Sequence, residues 1–255
     1  MDYGAIVIRV DGEYETSVNR AKEDARMNGW FFVSSTSWSD FDNDIPQHVM
    51  NAYMTVVHET LIELACASDI THIFVCGGVG SIAAAIFQGF YSHLKATEAD
   101  PGNLPRFVLV EPSQADCLLQ SAMHGEMRQS SGTLRTCMAG LACRAPSPAA
   151  WKILRWLASD FLAVPDSYAV NGMKALASAS EGDIPLVIGE SSAASMGIME
   201  ASQDNADLRT KLGLESDSQV LIFGLEGATD PEIYQKLAGR QDDFKEKNDD
   251  IGRPR

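Results

Sequence analysis

Residues 73–86 read Ile-Phe-Val-Cys-Gly-Gly-Val-Gly-Ser-Ile-Ala-Ala-Ala-Ile, and this stretch decides the fold. Its first residues are apolar and predict a buried strand, while its Ala-rich end predicts a helix that begins directly after the glycines. The glycines between them predict a tight turn that points backbone N–H groups and a helix N-terminus at one place. Such a place binds anions, phosphate above all. The stretch therefore predicts a phosphate site in an α/β protein.

Short β-rich runs separated by helical segments continue on both sides of this stretch. Seven strands are predicted, at residues 5–10, 30–33, 71–76, 105–110, 161–164, 185–188 and 219–223. Helices are predicted between them, and Asp166 is the predicted N-cap of the helix over residues 169–178. Strands that alternate with helices over short connections favour a parallel sheet. We therefore expect an α/β fold of three layers, a mostly parallel sheet covered by helices on both faces.

Composition and charge indicate a globular protein and argue against nucleic acid as a partner. The chain has 255 residues, of which 45% are hydrophobic and 22% charged, and its formal net charge is −15. No basic stripe offsets the repulsion of nucleic-acid phosphates. We expect one domain over residues 1–240, followed by an acidic, disordered tail over residues 241–255.

The five cysteines indicate neither a disulfide framework nor a metal site. Their number is odd, they form no C-x-x-C pair, and several lie in apolar runs, which is typical of the reduced thiols of an intracellular protein. Cysteine and histidine show no metal-ligand spacing, so no metal is expected. No apolar run is long enough to cross a membrane, and no signal-peptide pattern is present. The expected location is the cytoplasm, without a membrane partner.

The residues alone leave the phosphate ligand open. Residues 78–83 match G-x-G-x-x-A, the dinucleotide fingerprint, and Glu111 at the end of the next strand would hold a ribose hydroxyl. That glutamate lies further along than the usual spacing of about 20 residues, and the glycines do not follow the first predicted strand. A second interpretation is that the glycines serve only tight packing between helix and sheet.

Six blocks of sequence resemble, in the same order, the pyridoxal-phosphate enzymes of the tryptophan synthase β-like family, and within it the diaminopropionate ammonia-lyase branch. The blocks are Gly29-Trp30 with Thr36-Ser37-Trp38, Gly77–Gly80, Val110–Pro112 with Ala115–Cys117, Met138–Cys143 with Pro146, Pro148 and Trp151, Gly189–Ser191, and Glu226-Gly227 with Thr229-Asp230. The resemblance spans nearly all of residues 4–237. It implies the large domain of the fold type II architecture, pyridoxal 5′-phosphate as cofactor, a small amino acid as substrate, and a homodimer.

The same resemblance implies which residues form the site. The cofactor phosphate is expected at Gly77, Gly78, Val79, Gly80 and Ser81, and the cofactor ring beside Glu190, Leu225 and Glu226. The family's lysine, which holds the cofactor as a Schiff base, lies in an N-x-F-K-like motif upstream of where this chain begins. That motif does not occur here, and we interpret the eight lysines as solvated surface residues.

Several residues depart from the family pattern at positions that carry its chemistry. Ser35 stands at the position of a carboxylate suited to acid–base work near the leaving amine, and serine holds no charge at neutral pH. Leu225 stands where a polar residue would face the pyridine nitrogen, and Ala228 and Arg144 replace an aspartate and a glycine. Acidic side chains at 40, 42 and 44 are alternatives to Ser35, although a solvated loop is the simpler interpretation.

The sequence is therefore compatible with two functions. The first is a truncated or divergent pyridoxal-phosphate-dependent ammonia-lyase that converts 2,3-diaminopropionate to pyruvate and ammonia by α,β-elimination. The alternative is a non-catalytic paralogue that binds a phosphate group, pyridoxal phosphate or a dinucleotide. Both functions require that the glycine stretch bind a phosphate group. The two functions differ in whether a lysine forms a Schiff base with the cofactor.

Overall fold

In the part of the chain that the structure describes, four parallel strands form one sheet in the order β3-β2-β1-β4. The computed structural model describes residues 4–36, 44–97, 104–179 and 182–239. The strands are β1 (His72–Cys76), β2 (Arg106–Pro112), β3 (Asp160–Val164) and β4 (Val220–Ile222). The first strand is central: His72 lies opposite Arg106 on one side and opposite Val220 on the other. The acidic tail and the side chains at 37–44 lie outside the described residues.

Helices connect and cover these strands. They are α1 (Tyr14–Asn28), α2 (Asp44–Glu63), α3 (Ser81–Thr97), α4 (Cys117–His124), α5 (Pro148–Leu157), α6 (Asp166–Ser178), α7 (Glu190–Asp204), α8 (Ala206–Leu212) and α9 (Pro231–Ala238). The predicted N-cap of α6 is wrong, because Pro165 occupies the cap position and the Asp166 carboxylate accepts a hydrogen bond from the Cys137 N–H at 2.7 Å.

Alternate residues of the central strands face opposite layers, which confirms the expected three-layer fold. Ile73 and Val75 of β1 pack in one core with α2, α3 and α5. Phe74 and Cys76 pack on the other face with residues of α6, α7 and α8. All five residues of β1 are buried. Burial on both faces explains why these strands read as unbroken apolar runs.

Three of the seven predicted strands are wrong, those at residues 5–10, 30–33 and 185–188. In the described part of the chain these segments form no β-ladder. The composition of each suits a strand, but a strand exists only where a neighbour completes its hydrogen bonds, and composition does not report the neighbour. Residues 185–188 instead begin a connection to α7, in which the Leu186 N–H donates to the Leu176 carbonyl.

Helices α6 and α7 pack so closely that two glycines are required at their contact. A Cβ built on Gly172 would lie 1.8 Å from the Ala193 carbonyl oxygen, and one on Gly197 would lie 1.9 Å from the Tyr168 carbonyl oxygen. Both obstacles are backbone atoms, which cannot rotate away. This contact fixes the position of α7, whose first residues reach the candidate site described below.

We predict that Gly197→Ala separates α6 from α7 and lowers the free energy of unfolding by about 3 kcal/mol or more, at or beyond the upper end of overpacking costs. Urea denaturation followed by circular dichroism measures the change. Glu200→Ala is the matched control, because Glu200 lies exposed on the same helix and its replacement should change stability by less than about 0.5 kcal/mol. Equal stability of the two variants would show that the helices separate without cost.

Candidate functional site

The turn between β1 and α3 has the geometry expected of an anion-binding loop. Residues 77–80, the glycine loop, begin with Gly77, whose N–H donates to the Val110 carbonyl at 2.7 Å and so extends the pairing of β1 with β2. Gly78 and Gly80 have φ angles of +67° and +92°, which L side chains rarely adopt. The Ala84 N–H donates to the Gly80 carbonyl. The loop therefore leads directly into the first turn of α3, whose leading N–H groups lack intrahelical acceptors.

Two hydrogen bonds hold the glycine loop and the start of α3 in place. The Ser81 hydroxyl donates to the Ser35 carbonyl at 2.6 Å, and the Ser147 N–H donates to the Val79 carbonyl at 2.9 Å. Because the Ser81 proton is already donated, backbone N–H groups are the donors that the loop offers to an anion in this conformation.

A cavity of about 370 Å³ opens in front of the glycine loop. This volume lies within the range of about 300–1,000 Å³ usual for small-molecule sites. Three groups of residues line it: Cys76–Ile82; Ala139–Cys143, which begin with a short 3₁₀ turn; and Ser191, Ser192, Leu225 and Glu226. Tyr14, Ser35 and Tyr53 complete the lining. The glycine loop after β1 and the turn at Leu225 and Glu226 after β4 lie at the carboxyl ends of parallel strands, which is where open α/β sheets bind ligands.

Another part of the cavity lining comes from two turns that hydrogen-bond to each other, one at Ser191 and Ser192 and one at Leu225 and Glu226. A carboxylate oxygen of Glu226 accepts from the Ser191 N–H at 2.8 Å, and the Ser192 hydroxyl accepts from the Leu225 N–H at 3.0 Å. The Ser191 hydroxyl is buried and has no hydrogen-bond partner. A buried hydroxyl without a partner costs free energy, and a polar ligand atom in the cavity would supply that partner.

Glu111 lies directly beneath the glycine loop and is completely buried. Its two carboxyl oxygens accept from the Leu118 and Leu119 N–H groups, at 2.9 and 2.8 Å, and so cap helix α4. A Cβ on Gly77 would lie 2.6 Å from the Glu111 Cγ, so only glycine fits above it. Both oxygens are therefore used inside the protein, and the assignment of Glu111 to a ribose hydroxyl is wrong.

Burial controls the protonation of the groups around this loop. Burial raises the pKa of Glu111 to about 8 from 4.5; the two N–H donors oppose the rise, while Asp116 adds to it. Burial likewise raises the pKa of Cys76 to about 11, and nearby Glu226 adds to that rise. The pKa of Cys143 rises to about 12 for the same first reason. At neutral pH these thiols are protonated, so they are not thiolate nucleophiles.

The structure brings most of the predicted site residues together at one cavity. Gly77–Ser81, Leu225, Glu226 and Ser35 all line it. Glu190 is not among the lining residues, although it begins α7 directly before the cavity-lining Ser191. Burial raises the pKa of Glu190, and the charge of nearby Glu226 raises it further. Tyr14, Tyr53 and Ser192 also line the cavity and were not predicted, because isolated tyrosines and serines in helices carry no sequence signal.

Comparison with known proteins identifies the family. A family model described as pyridoxal-phosphate dependent enzyme matches residues 1–241. The chain belongs to the pyridoxal-phosphate dependent enzyme family. Within this family it is 33% identical over 243 residues to diaminopropionate ammonia-lyase of Salmonella typhimurium, an alignment that covers 92% of this chain and 58% of that protein.

Solved structures of this family show the same fold. Diaminopropionate ammonia-lyase from Escherichia coli in complex with an aminoacrylate–PLP azomethine reaction intermediate superposes with a TM-score of 0.82 at 31% identity, covering 93% of this chain and 60% of that one. Maize serine racemase, at 19% identity and a TM-score of 0.66, shares the fold. This chain thus spans less than two thirds of the length of the ammonia-lyases it matches.

We predict that Glu111→Gln lowers the free energy of unfolding by about 1–3 kcal/mol, since an amide nitrogen would face one of the two N–H donors. The loss should depend on pH. The folded-state pKa of Glu111 is about 8, above the ordinary 4.5, so its protonation favours the folded state. That contribution is complete below about pH 4.5 and is lost as the pH rises to about 8.

Urea denaturation of both proteins from pH 5 to pH 9 measures this effect. The stability of wild type relative to Glu111→Gln should be highest at pH 5 and should fall steadily towards pH 9, because only wild type carries the titrating carboxyl. Glu200→Gln, at an exposed position on α7, serves as the control. A difference that stays constant across this range would mean that the Glu111 carboxyl does not change its protonation on folding.

Proposed function

We propose that the cavity binds pyridoxal phosphate through the glycine loop and that the protein is a lyase acting on 2,3-diaminopropionate, a small amino acid. The observation that supports this most strongly is the glycine loop, with two positive φ angles at the N-terminus of α3, which lines one cavity together with Ser191, whose buried hydroxyl has no partner. Family membership and the 33% identity to a longer ammonia-lyase support the reaction class. Pyruvate and ammonia are the proposed products.

The described residues fit the phosphate end of this cofactor. Gly78 and Gly80 leave two positions of the loop without a side chain, and a Cβ on Gly78 would already lie 3.4 Å from the Gly140 carbonyl oxygen. Backbone N–H groups of the loop and of the first turn of α3 would hold the phosphate, assisted by the helix dipole. Ser81 is a proposed contact through its backbone, since its hydroxyl proton is already donated to Ser35.

The two turns at Ser191–Ser192 and Leu225–Glu226 would hold the ring end of the cofactor. When bound, pyridoxal phosphate supplies an electron sink for a carbanion at the substrate α-carbon. Glu226 is kept in position by the Ser191 N–H, and Leu225 by the Ser192 hydroxyl, so both residues are rigid neighbours for a ring. Ser191 would donate its free hydroxyl to a polar ligand atom. The side chain of Leu225 offers no polar atom to the pyridine nitrogen. We propose that this is the main difference between this site and the family pattern.

A second function is favoured by one observation about the cavity. None of its lining residues in the described part of the chain is a lysine, so they offer no amine to a cofactor aldehyde. A protein that binds pyridoxal phosphate without lyase activity would need only the phosphate contacts. A homodimer and a cytoplasmic location are proposals that accompany both functions. No helix within the described ranges has the length and apolarity needed to cross a bilayer.

We predict that pyridoxal phosphate binds to the protein and that inorganic phosphate competes for the same site. Gly78→Ala should weaken both ligands at least about tenfold, because strain at φ +67° shifts the N–H groups that hold them. Fluorescence titration measures the affinities. Gly125→Ala is the matched control: Gly125 has a φ of +71°, no atom lies within 4 Å of its Cβ position, and it does not line the cavity.

Pyruvate release from 2,3-diaminopropionate, measured with lactate dehydrogenase and NADH, separates the two functions. Binding together with pyruvate release supports the lyase, and binding without release supports the non-catalytic protein. Equal loss of affinity in Gly78→Ala and Gly125→Ala would place the phosphate elsewhere. Binding of NADH alone, with no affinity for pyridoxal phosphate, would contradict both functions as proposed.

We predict opposite effects for the two neighbouring serines. Ser191→Ala removes a buried hydroxyl without a partner, so stability should stay equal or rise, while affinity for pyridoxal phosphate falls about 2- to 12-fold through loss of one hydrogen bond. Ser192→Ala removes the acceptor of the Leu225 N–H, so it should lower the free energy of unfolding by about 1 kcal/mol. Thermal unfolding and ligand titration of both variants check this. Unchanged affinity in Ser191→Ala would remove this serine from the binding site.

A further inference from the structure

Asp166 is not among the residues that line the cavity, but its carboxylate holds the loop that leads into it. One carboxylate oxygen accepts from the Thr136 hydroxyl at 2.5 Å, and the other accepts from the Cys137 N–H at 2.7 Å. The Thr136 hydroxyl oxygen also accepts from the Met138 N–H at 3.1 Å. A carboxylate at the start of α6 thus fixes a loop that lies 30 residues earlier in the chain.

The residues directly after this loop line the cavity. Ala139–Cys143, which we name the cavity segment, all belong to the lining. Met138 and Leu141 are buried in the same core as Ala169 of α6. Apolar burial is not directional, whereas hydrogen bonds fix the orientation of the groups that they join. The hydrogen bonds to Asp166 therefore set the direction in which the chain enters the cavity segment.

The cavity segment lies close to two other parts of the candidate site. A Cβ built on Gly78 of the glycine loop would lie 3.4 Å from the Gly140 carbonyl oxygen, and one built on Gly140 would lie 3.4 Å from the Ser191 Oγ. The Ser191 hydroxyl is the buried one without a partner. Because these groups are already close, a small shift of Gly140 would change the space beside both of them.

We propose that Asp166 is a positioning residue of the candidate site, which holds the cavity segment where the ring of pyridoxal phosphate fits beside it. For the identity of the ligand, this assignment rests on the proposed function. Asp166 acts through Thr136 and Cys137 and does not touch the ligand itself. Burial, together with the nearby Asp166 charge, raises the pKa of Cys137 to about 12, so this thiol adds no charge beside the carboxylate at neutral pH.

The phosphate end of the site does not depend on Asp166. Hydrogen bonds to Val110 and Ser147 hold the glycine loop, and one to Ser35 holds the start of α3. Inorganic phosphate has no ring and needs only this part of the cavity. A displaced cavity segment should therefore weaken the binding of pyridoxal phosphate and leave the binding of inorganic phosphate intact.

Asp166→Asn tests this selectivity, because its amide nitrogen would face one of the two donors at that position. We expect affinity for pyridoxal phosphate to fall at least about fivefold, the loss of about one hydrogen bond, and affinity for inorganic phosphate to change by less than about twofold. Isothermal titration calorimetry measures both. Asp204→Asn is the matched control, since it removes the same charge at an exposed position at the end of α7, outside the cavity, and should leave both affinities unchanged.

A second pair of variants tests the hydroxyl at position 136. Thr136→Val keeps the shape of the side chain but can neither donate to Asp166 nor accept from the Met138 N–H, so it should show the same selective loss. Thr136→Ser keeps the hydroxyl and should retain the wild-type affinities. Circular dichroism melts show that each variant is folded at the temperature of the titration. Equal losses in Thr136→Val and Thr136→Ser would mean that side-chain volume, and not the hydrogen bond, holds the loop.

Amide hydrogen exchange, resolved by residue, tests the same hold without any ligand. The Leu141 and Cys143 N–H groups donate to nearby carbonyls of the same loop, and not to the side chain of Asp166 or Thr136. In Asp166→Asn and Thr136→Val their exchange should quicken at least about tenfold, because the cavity segment opens more often, while the exchange of the Gly77 amide stays as in wild type.

Equal loss of both ligands in Asp166→Asn, or unchanged exchange of Leu141 and Cys143, would overturn the assignment. If the wild-type protein binds neither ligand, the proposed function fails, and the exchange rates alone then decide whether Asp166 positions the cavity segment.

Discussion

The structure depends on the close approach of the glycine loop to Glu111. Gly77 cannot carry a Cβ, because the Glu111 Cγ occupies that space, and the Glu111 carboxyl in turn caps α4. One buried side chain thus joins the end of β1, the end of β2 and a helix N-terminus. Burial without a cation also raises the pKa of this carboxyl, so its neutral form suits a place next to an anion site. The Glu111 carboxyl lies beneath the loop that would bind phosphate. When this carboxyl is protonated it carries no charge, so it does not repel the bound anion.

The contact between α6 and α7, which lies away from the cavity, positions the part of the candidate site formed by Ser191, Ser192, Leu225 and Glu226. Gly172 and Gly197 let α6 and α7 approach at backbone contact, which fixes the start of α7. From there Ser191 and Ser192 bond to the turn at Leu225 and Glu226. The helices that follow these two parts of the cavity, α3 and α7, pack on opposite faces of the sheet. The parallel strands bring both helix N-termini to the same edge of the sheet.

The sequence predicted the parts of the fold that local chemistry specifies. The apolar run before Gly77 is the central strand, and the glycine turn lies at the cavity, because both follow from residue type and order. Three predicted strands were wrong, since a strand requires a neighbour that composition does not reveal. Tyr14 and Tyr53 reach the cavity through tertiary packing, and the free hydroxyl of Ser191 is visible only in coordinates. Burial of Glu111 likewise changed its interpretation from a ligand contact to a structural cap.

Residues 4–36 are attached to the rest of the molecule mainly by polar contacts between distant parts of the chain. Arg144 binds Glu13 and Glu15 from more than a hundred residues away, and Ser81 binds the Ser35 carbonyl. Contacts of such sequence separation form late in folding, because a long loop must close before they contribute. Because residues 4–36 add no residue to the three hydrophobic clusters of the core, they have fewer apolar contacts than the sheet to oppose local opening. Opening of this unit alone would remove Tyr14 and Ser35 from the cavity while the glycine loop keeps its shape.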